Sequence, residues 1–135
     1  MIASLLVPLL LQSAPPDPAW NCEAPRVQQE MNWCAGQDFA AADAAMNAQW
    51  RLTREAMKAR DTAFAAQGGA DRRKGWSASL LEAQRGWLRF RDAQCALEGY
   101  GARGGSLEPL LVASCKARLT RARTGELKAL TQDPG

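Results

Sequence analysis

From Phe39 to Ala66 the chain runs for 28 residues without a glycine or a proline, and alanine is the commonest residue in the run. Alanine costs the least of any residue in a helix, so the run predicts one helix about 42 Å long. A chain of 135 residues makes one ordinary domain, and a rod of that length leaves the other elements little choice but to lie along it. Phe39, Met46, Trp50, Thr53, Met57 and Phe64 recur at helical spacing and mark its inner stripe.

Glycines and prolines punctuate the rest. Gly68-Gly69 suits the C-terminal cap of the long helix, and the polar loop Ala70–Gly75 follows. The next helix is expected from Trp76 to Glu98. Positions 76, 80, 83, 87, 90, 94 and 97 alternate steps of four and three, and six of the seven are apolar, which predicts the buried face. Trp76, Trp87 and Phe90 on that stripe read as core. Four glycines fall between Gly99 and Gly105. Ser106 is the expected N-cap of the last helix, with Glu108 and Pro109 in its first turn. Leu111, Cys115, Leu119 and Ala122 would form its inner face, with Leu127 and Leu130 beyond. Upstream, Pro25 suits the first turn of a short helix over 25–33, Gly36 is expected to break it, and Asp38 to cap the long helix. No segment alternates with period two long enough for a strand. The expected fold is all-α, a small helical bundle of three main helices plus one short N-terminal helix.

Ile2–Leu11 is apolar but too short for the ~20 residues of a bilayer span. Its length suits the core of a secretory signal peptide, with Ser13 and Ala14 near a cleavage site. Residues 1–19 are therefore expected to be a signal peptide and Pro-rich leader, 20–131 the helical domain, and 132–135 a disordered tail. The four cysteines suit the same oxidising destination, periplasmic or secreted. They allow three pairings. The local one, Cys22–Cys34 and Cys95–Cys115, is expected, because a helical hairpin closed by the glycine loop levels Cys95 with Cys115. Cys22 and Cys34 would lie ~18 Å apart on one straight helix, so they pair only if Cys22 sits on a leader folded back. Trp20 and Trp33 flank that bridge. Each bridge is worth ~3 kcal/mol in the loop-entropy picture.

The chain has no histidine. That excludes Ser-His-Asp and Cys-His nucleophiles and imidazole metal sites. No CxxC pair supports a four-cysteine metal site, so neither metal nor cofactor is expected. The net charge of +3 hides an asymmetry: five basic and seven acidic residues in 1–68, twelve and seven in 69–135. The basic half suits an acidic ligand, yet no nucleic-acid motif accompanies it, and no helix has the basic face of a membrane-surface binder.

The segment Ala83–Cys95 reads AQRGWLRFRDAQC. It resembles the A-Q-R-x-W-x-x-F-R-D-A-x-C signature of the LprI-like family of exported bacterial proteins. Glu30–Ala35 is similar to the family's E-M-N-x-C-A. Ala42-Asp43, Asn47 and Trp50 are similar to its A-D-x-x-L-N-x-x-Y, with Trp50 in place of Tyr. Gly104-Gly105-Ser106, Cys115, Thr120 and Arg123 follow its C-terminal part. The family is named for a lipoprotein that inhibits lysozyme. The resemblance therefore implies a non-catalytic exported protein whose partner is a lysozyme-type muramidase; the other reading is an envelope module for another protein or glycan. This chain lacks an acylation box around Cys22.

On a helix Gln84, Arg91, Cys95 and Glu98 share one ridge beside the apolar stripe, while Asp43 and Asn47 lie one turn apart on the long helix. Arg91 is expected to pair with Asp43 or Glu98 inside the bundle, making a structural polar seam of Asp43, Asn47, Gln84, Arg91 and Glu98. An inhibitor needs a protruding loop with donors for a muramidase's paired carboxylates. Tyr100, Arg103 and Ser106 on the glycine loop are the candidate contacts.

Overall fold

The computed structural model describes Asp17 and residues 19–132. The expected signal peptide and the last three residues lie outside them. The fold is all-helical: α1 spans Gln28–Ala66, α2 Trp76–Gly99 and α3 Glu108–Ala129, with a short 3-10 turn at Tyr100–Ala102. α1 has 39 residues and is about 58 Å long. It packs most extensively on α3, α2 packs on α3 as well, and the α1–α2 contact is the smallest of the three. Among the described residues no helix is long and apolar enough to cross a membrane.

Among the described residues the expected short helix over 25–33 is not a separate element. Residues from Gln28 onward belong to α1, and Gly36 sits inside it. A helical glycine costs about 1 kcal/mol against alanine, too little to break a helix held on both sides. Ala35 and Ala42 are buried, and Asp38, far from any cap position, accepts hydrogen bonds from Arg121 on α3. The chain before α1 folds back along it. The Cys22–Cys34 disulfide ties it down, and the Glu30 carboxylate accepts the backbone N–H groups of Asn21 and Arg26. Those donors hold the Glu30 carboxyl below its ordinary range. The Trp20 and Trp33 rings meet at 5.9 Å beside the bridge.

α1 ends in a Schellman motif. Gly68 takes φ +76°, its N–H reaches Ala65 O, and the Gly69 N–H reaches Phe64 O. The turn hands the chain to α2, whose N-cap is Gly75, a residue with no side chain to cap it. Asp61 on α1 supplies the cap across the turn: its carboxylate accepts the N–H of Trp76 at 2.8 Å and of Ser77 at 3.0 Å. A Cβ on Gly75 would lie 2.4 Å from Asp61 Oδ1, so the close approach requires glycine.

The buried face of α2 is not its apolar stripe. Leu80, Gln84, Arg91, Cys95 and Gly99 are buried, while Phe90 and Leu97 are 55% and 63% exposed. Trp76 is exposed and leans edge-on against Phe64; Trp87 is half-buried against the core. The helix is turned by roughly a quarter of its circumference from the expected orientation. Three contacts fix that rotation: the Cys95–Cys115 disulfide, the seat of Gly99 on Val112, and the Arg91–Asp43 pair. α3 departs in the same way. Cys115, Ala117, Thr120 and Leu127 are buried, whereas Ala122 and Leu130 are exposed. Its N-cap is Leu107, with no side-chain cap from Ser106.

Met46, Met57, Leu80 and Leu127 form the apolar core, with Trp50 and Trp87 packed against it. Beside them the buried Thr53 hydroxyl donates to Leu127 O at 2.9 Å, pinning α1 to the end of α3. Asp61, like Glu30, is held below its ordinary pKa, here chiefly by the Ser77 N–H. A depressed carboxyl stabilises the fold fully above its unfolded value and less as pH falls through the folded one. Stability should therefore be flat above about pH 5 and fall in the acid range. Asp61→Ala should lower the urea midpoint at neutral pH, as loss of an N-cap does, and flatten part of the acid limb in urea titrations. A variant as stable as the parent at pH 7 would refute the cap.

Candidate functional site

Arg91 occupies the middle of the bundle at 7% exposure. A buried guanidinium needs a partner for its charge and for its donors. Its Nη1 lies 3.4 Å from Asp43 Oδ1 on α1 and 3.4 Å from the Thr120 hydroxyl on α3. Its Nε donates to Asp92 Oδ1 at 2.9 Å. Its faces are also covered: the carbon of the guanidinium stands 5.2 Å from the Phe39 ring centre and 5.3 Å from that of Trp87. Lys116 lies over Phe39 and Arg123 over Trp87. Cations and rings thus alternate through the seam, each cation attracted to the electron-rich ring faces. Carboxylates close the outer edges, with Asp92 3.7 Å from Lys116 and Glu126 2.8 Å from Arg123.

Of the predicted seam residues, Asp43, Gln84 and Arg91 come together. Gln84 accepts from Arg123 Nε at 3.0 Å and donates to Met46 Sδ. Asn47 is exposed and touches the seam only by donating to Asp43. Glu98 stands apart, exposed and paired with Arg118. Phe39, Lys116 and Arg123 complete the seam without having been assigned to it. The Thr120 and Arg123 positions were visible in the C-terminal motif, and Phe39 shares a face with Asp43 one turn on.

The second feature is the loop from Tyr100 to Ser106. It begins where Gly99 is pressed against α3, since a Cβ there would lie 2.5 Å from Val112 Cγ2. The Cys95–Cys115 bridge lies beneath it. Gly104 takes φ +78°, and its N–H donates to Glu108 Oε2 at 2.6 Å. Asn32 on α1 donates to Ser106 O at 2.9 Å. A short turn is thus fastened at three points. Tyr100 is exposed, and the Arg103 guanidinium lies 4.7 Å above its ring centre. Among the described residues Arg103 has no carboxylate partner, so its donors face outward.

The sequence profile of the family described as "Lysozyme inhibitor LprI" matches residues 21–127. The chain belongs to the LprI family. The match takes in both disulfides, the Arg91 seam and the Tyr100–Ser106 loop. An uncharacterized protein of Rhizobium meliloti (strain 1021) is 46% identical over 121 residues, covering 87% of this LprI chain and 81% of its own length. No solved structure matches this chain.

The A-Q-R-x-W-x-x-F-R-D-A-x-C signature of this LprI protein therefore builds its seam: Gln84, Trp87, Arg91, Asp92 and Cys95 all serve it or the adjoining bridge. Arg91→Met should lower the urea midpoint, by less than the loss of a fully buried pair, because Asp43 and Asp92 are partly exposed and can turn to water. Arg91→Lys should lie between the two, because an ammonium keeps the charge but not the flat, multi-donor contact. A Met variant as stable as the parent would show that the seam does not hold the fold.

Proposed function

We propose that this LprI protein is exported and acts as a non-catalytic inhibitor of lysozyme-type muramidases, contacting them through the loop from Tyr100 to Ser106. The observation that carries the reading is the loop's combination of rigidity and free donors. Arg103 lies over the Tyr100 ring, has no carboxylate partner among the described residues, and stands on a turn braced by a disulfide, Asn32 and Glu108. Muramidases of the lysozyme type work through a pair of carboxylates flanking the scissile bond, and a guanidinium is the side chain best matched to a carboxylate. A braced loop loses little freedom on docking, which favours affinity. The Ser106 hydroxyl and Tyr100 phenol, both exposed, supply polar contacts at the rim.

Export is supported by the paired cysteines and by the family. A binding role is supported by the family and by the absence of any histidine to serve as a base near neutral pH. The net charge of +3 gives no long-range attraction to a cationic lysozyme, so on this reading the complex is held by short-range contacts and association is slow but weakly salt-dependent.

The test is a cell-wall turbidity assay with the oxidised protein against chicken-type, goose-type and invertebrate-type lysozymes. Inhibition of at least one is expected, with Arg103→Ala weakening it about tenfold or more, the scale of one lost charged hydrogen bond, at unchanged thermal stability. Silence against all three classes refutes inhibition and leaves an envelope module for another protein or glycan. Inhibition untouched by Arg103→Ala refutes the loop assignment alone.

A further inference from the structure

At the far end of the molecule α1, the Gln67–Gly75 turn, α2 and the end of α3 enclose an open trough of about 670 Å³. That volume is within the range of small-molecule sites. The floor is Met57 and Leu80 of the core, and the walls are Phe64, Trp76, Ala83 and Leu130. Phe64, Trp76 and Leu130 are large apolar residues left exposed to water, and all three converge on this one trough. Apolar surface gathered in a concavity marks a binding site more than the same residues scattered singly would.

The trough has a polar end and an apolar end. Arg73 and Lys74 line it at the turn, where Arg72 adds a third consecutive cation. From there the apolar lining runs along α2 from Trp76 to Ala83, about 10 Å. Asp71 also lines the turn end, bound to Arg73, and Lys74 pairs with Glu82. Both pairs are exposed, and exposed pairs contribute little and exchange readily for another anion. The turn end therefore carries three cations against Asp71 and Glu82, and the half of the chain that holds it is the basic one.

The walls are fixed before any ligand arrives. Gly69 lies on the Phe64 ring, where a Cβ would come within 2.4 Å of the ring carbon. The Schellman turn sets the loop, and Asp61 anchors the first turn of α2. Phe64 and Trp76 brace each other edge to face at 5.5 Å between ring centres.

We propose that this trough binds an anionic amphiphile with a single alkyl chain, the chain lying between Phe64, Trp76 and Ala83 and the acid group meeting Arg73 and Lys74. The site stands some 48 Å along α1 from the Asn32 contact that braces the Tyr100–Ser106 loop, so it is separate from the surface proposed for muramidases and survives or fails independently of it.

The experiment is calorimetric titration of the full oxidised protein with dodecanoate below its micellar concentration, with dodecyltrimethylammonium as the cation of equal chain length. One site for dodecanoate is expected, with binding of the cation at least tenfold weaker. The double variant Arg73→Ala, Lys74→Ala should lose about tenfold in affinity. Ala83→Trp, which fills the trough from an exposed position, should abolish binding while circular dichroism stays unchanged. Leu130→Glu, at the last turn of α3, is the second blocking variant should Ala83→Trp unfold. Absence of dodecanoate binding, equal binding of the cation, or binding that survives a folded blocking variant would each overturn the proposal.

Discussion

The fold depends on how one buried cation is satisfied. Arg91 sits where the three helices meet, and taking it out of water costs several kcal/mol unless the protein replaces what water supplied. It does so from every side: Asp43 from α1, Thr120 from α3, Asp92 from its own helix, and the rings of Phe39 and Trp87 against its faces. Each partner is available at only one rotation of each helix. An apolar core of Met46, Met57, Leu80 and Leu127 tolerates some sliding; a guanidinium with donors to satisfy does not. The seam therefore fixes register as well as adding stability, in the manner of buried polar groups that select one packing among several.

That role explains which features were legible in the sequence. The three main helices follow from glycine and proline positions, which are local signals. The termini of α1 and α2 near Gly68 and Trp76 follow for the same reason. The rotation of α2 does not, because a hydrophobic period reports where apolar residues lie and cannot report that a polar ridge is wanted inside. Trp76, Ala83, Phe90 and Leu97 make the more apolar stripe, yet Gln84, Arg91 and Cys95 face inward. Their partners Asp43, Thr120, Arg123 and Cys115 lie far off in the chain, so only the tertiary arrangement makes the polar ridge the cheaper one to bury. The merging of the short helix into α1 has a similar origin. Gly36 is a weak local veto, and the Asp38–Arg121 pair with α3 outweighs it. The cap on α2 was not legible: Gly75 stands before Trp76 with no side chain to offer the free N–H groups, and nothing local singled out Asp61 on α1 over Asp71, which lies in the turn itself.

The two ends of the bundle are held by different physics. Both disulfides lie at the end where α1 begins and α3 starts, and Asn32 joins them by bonding to Ser106 O. Covalent links do not open without breaking, so the Tyr100–Ser106 turn is braced from below, and a loop that must enter a cleft loses least on binding when it is already ordered. The opposite end has no crosslink. It is closed by the Schellman hydrogen bonds, the Asp61 cap and the Phe64–Trp76 contact, none of them covalent. These contacts hold the walls of the trough in place without a covalent link and leave the seam untouched. A disulfide-braced polar turn and an apolar trough shaped by non-covalent contacts are the two surfaces left when a long helix is stapled at one end only.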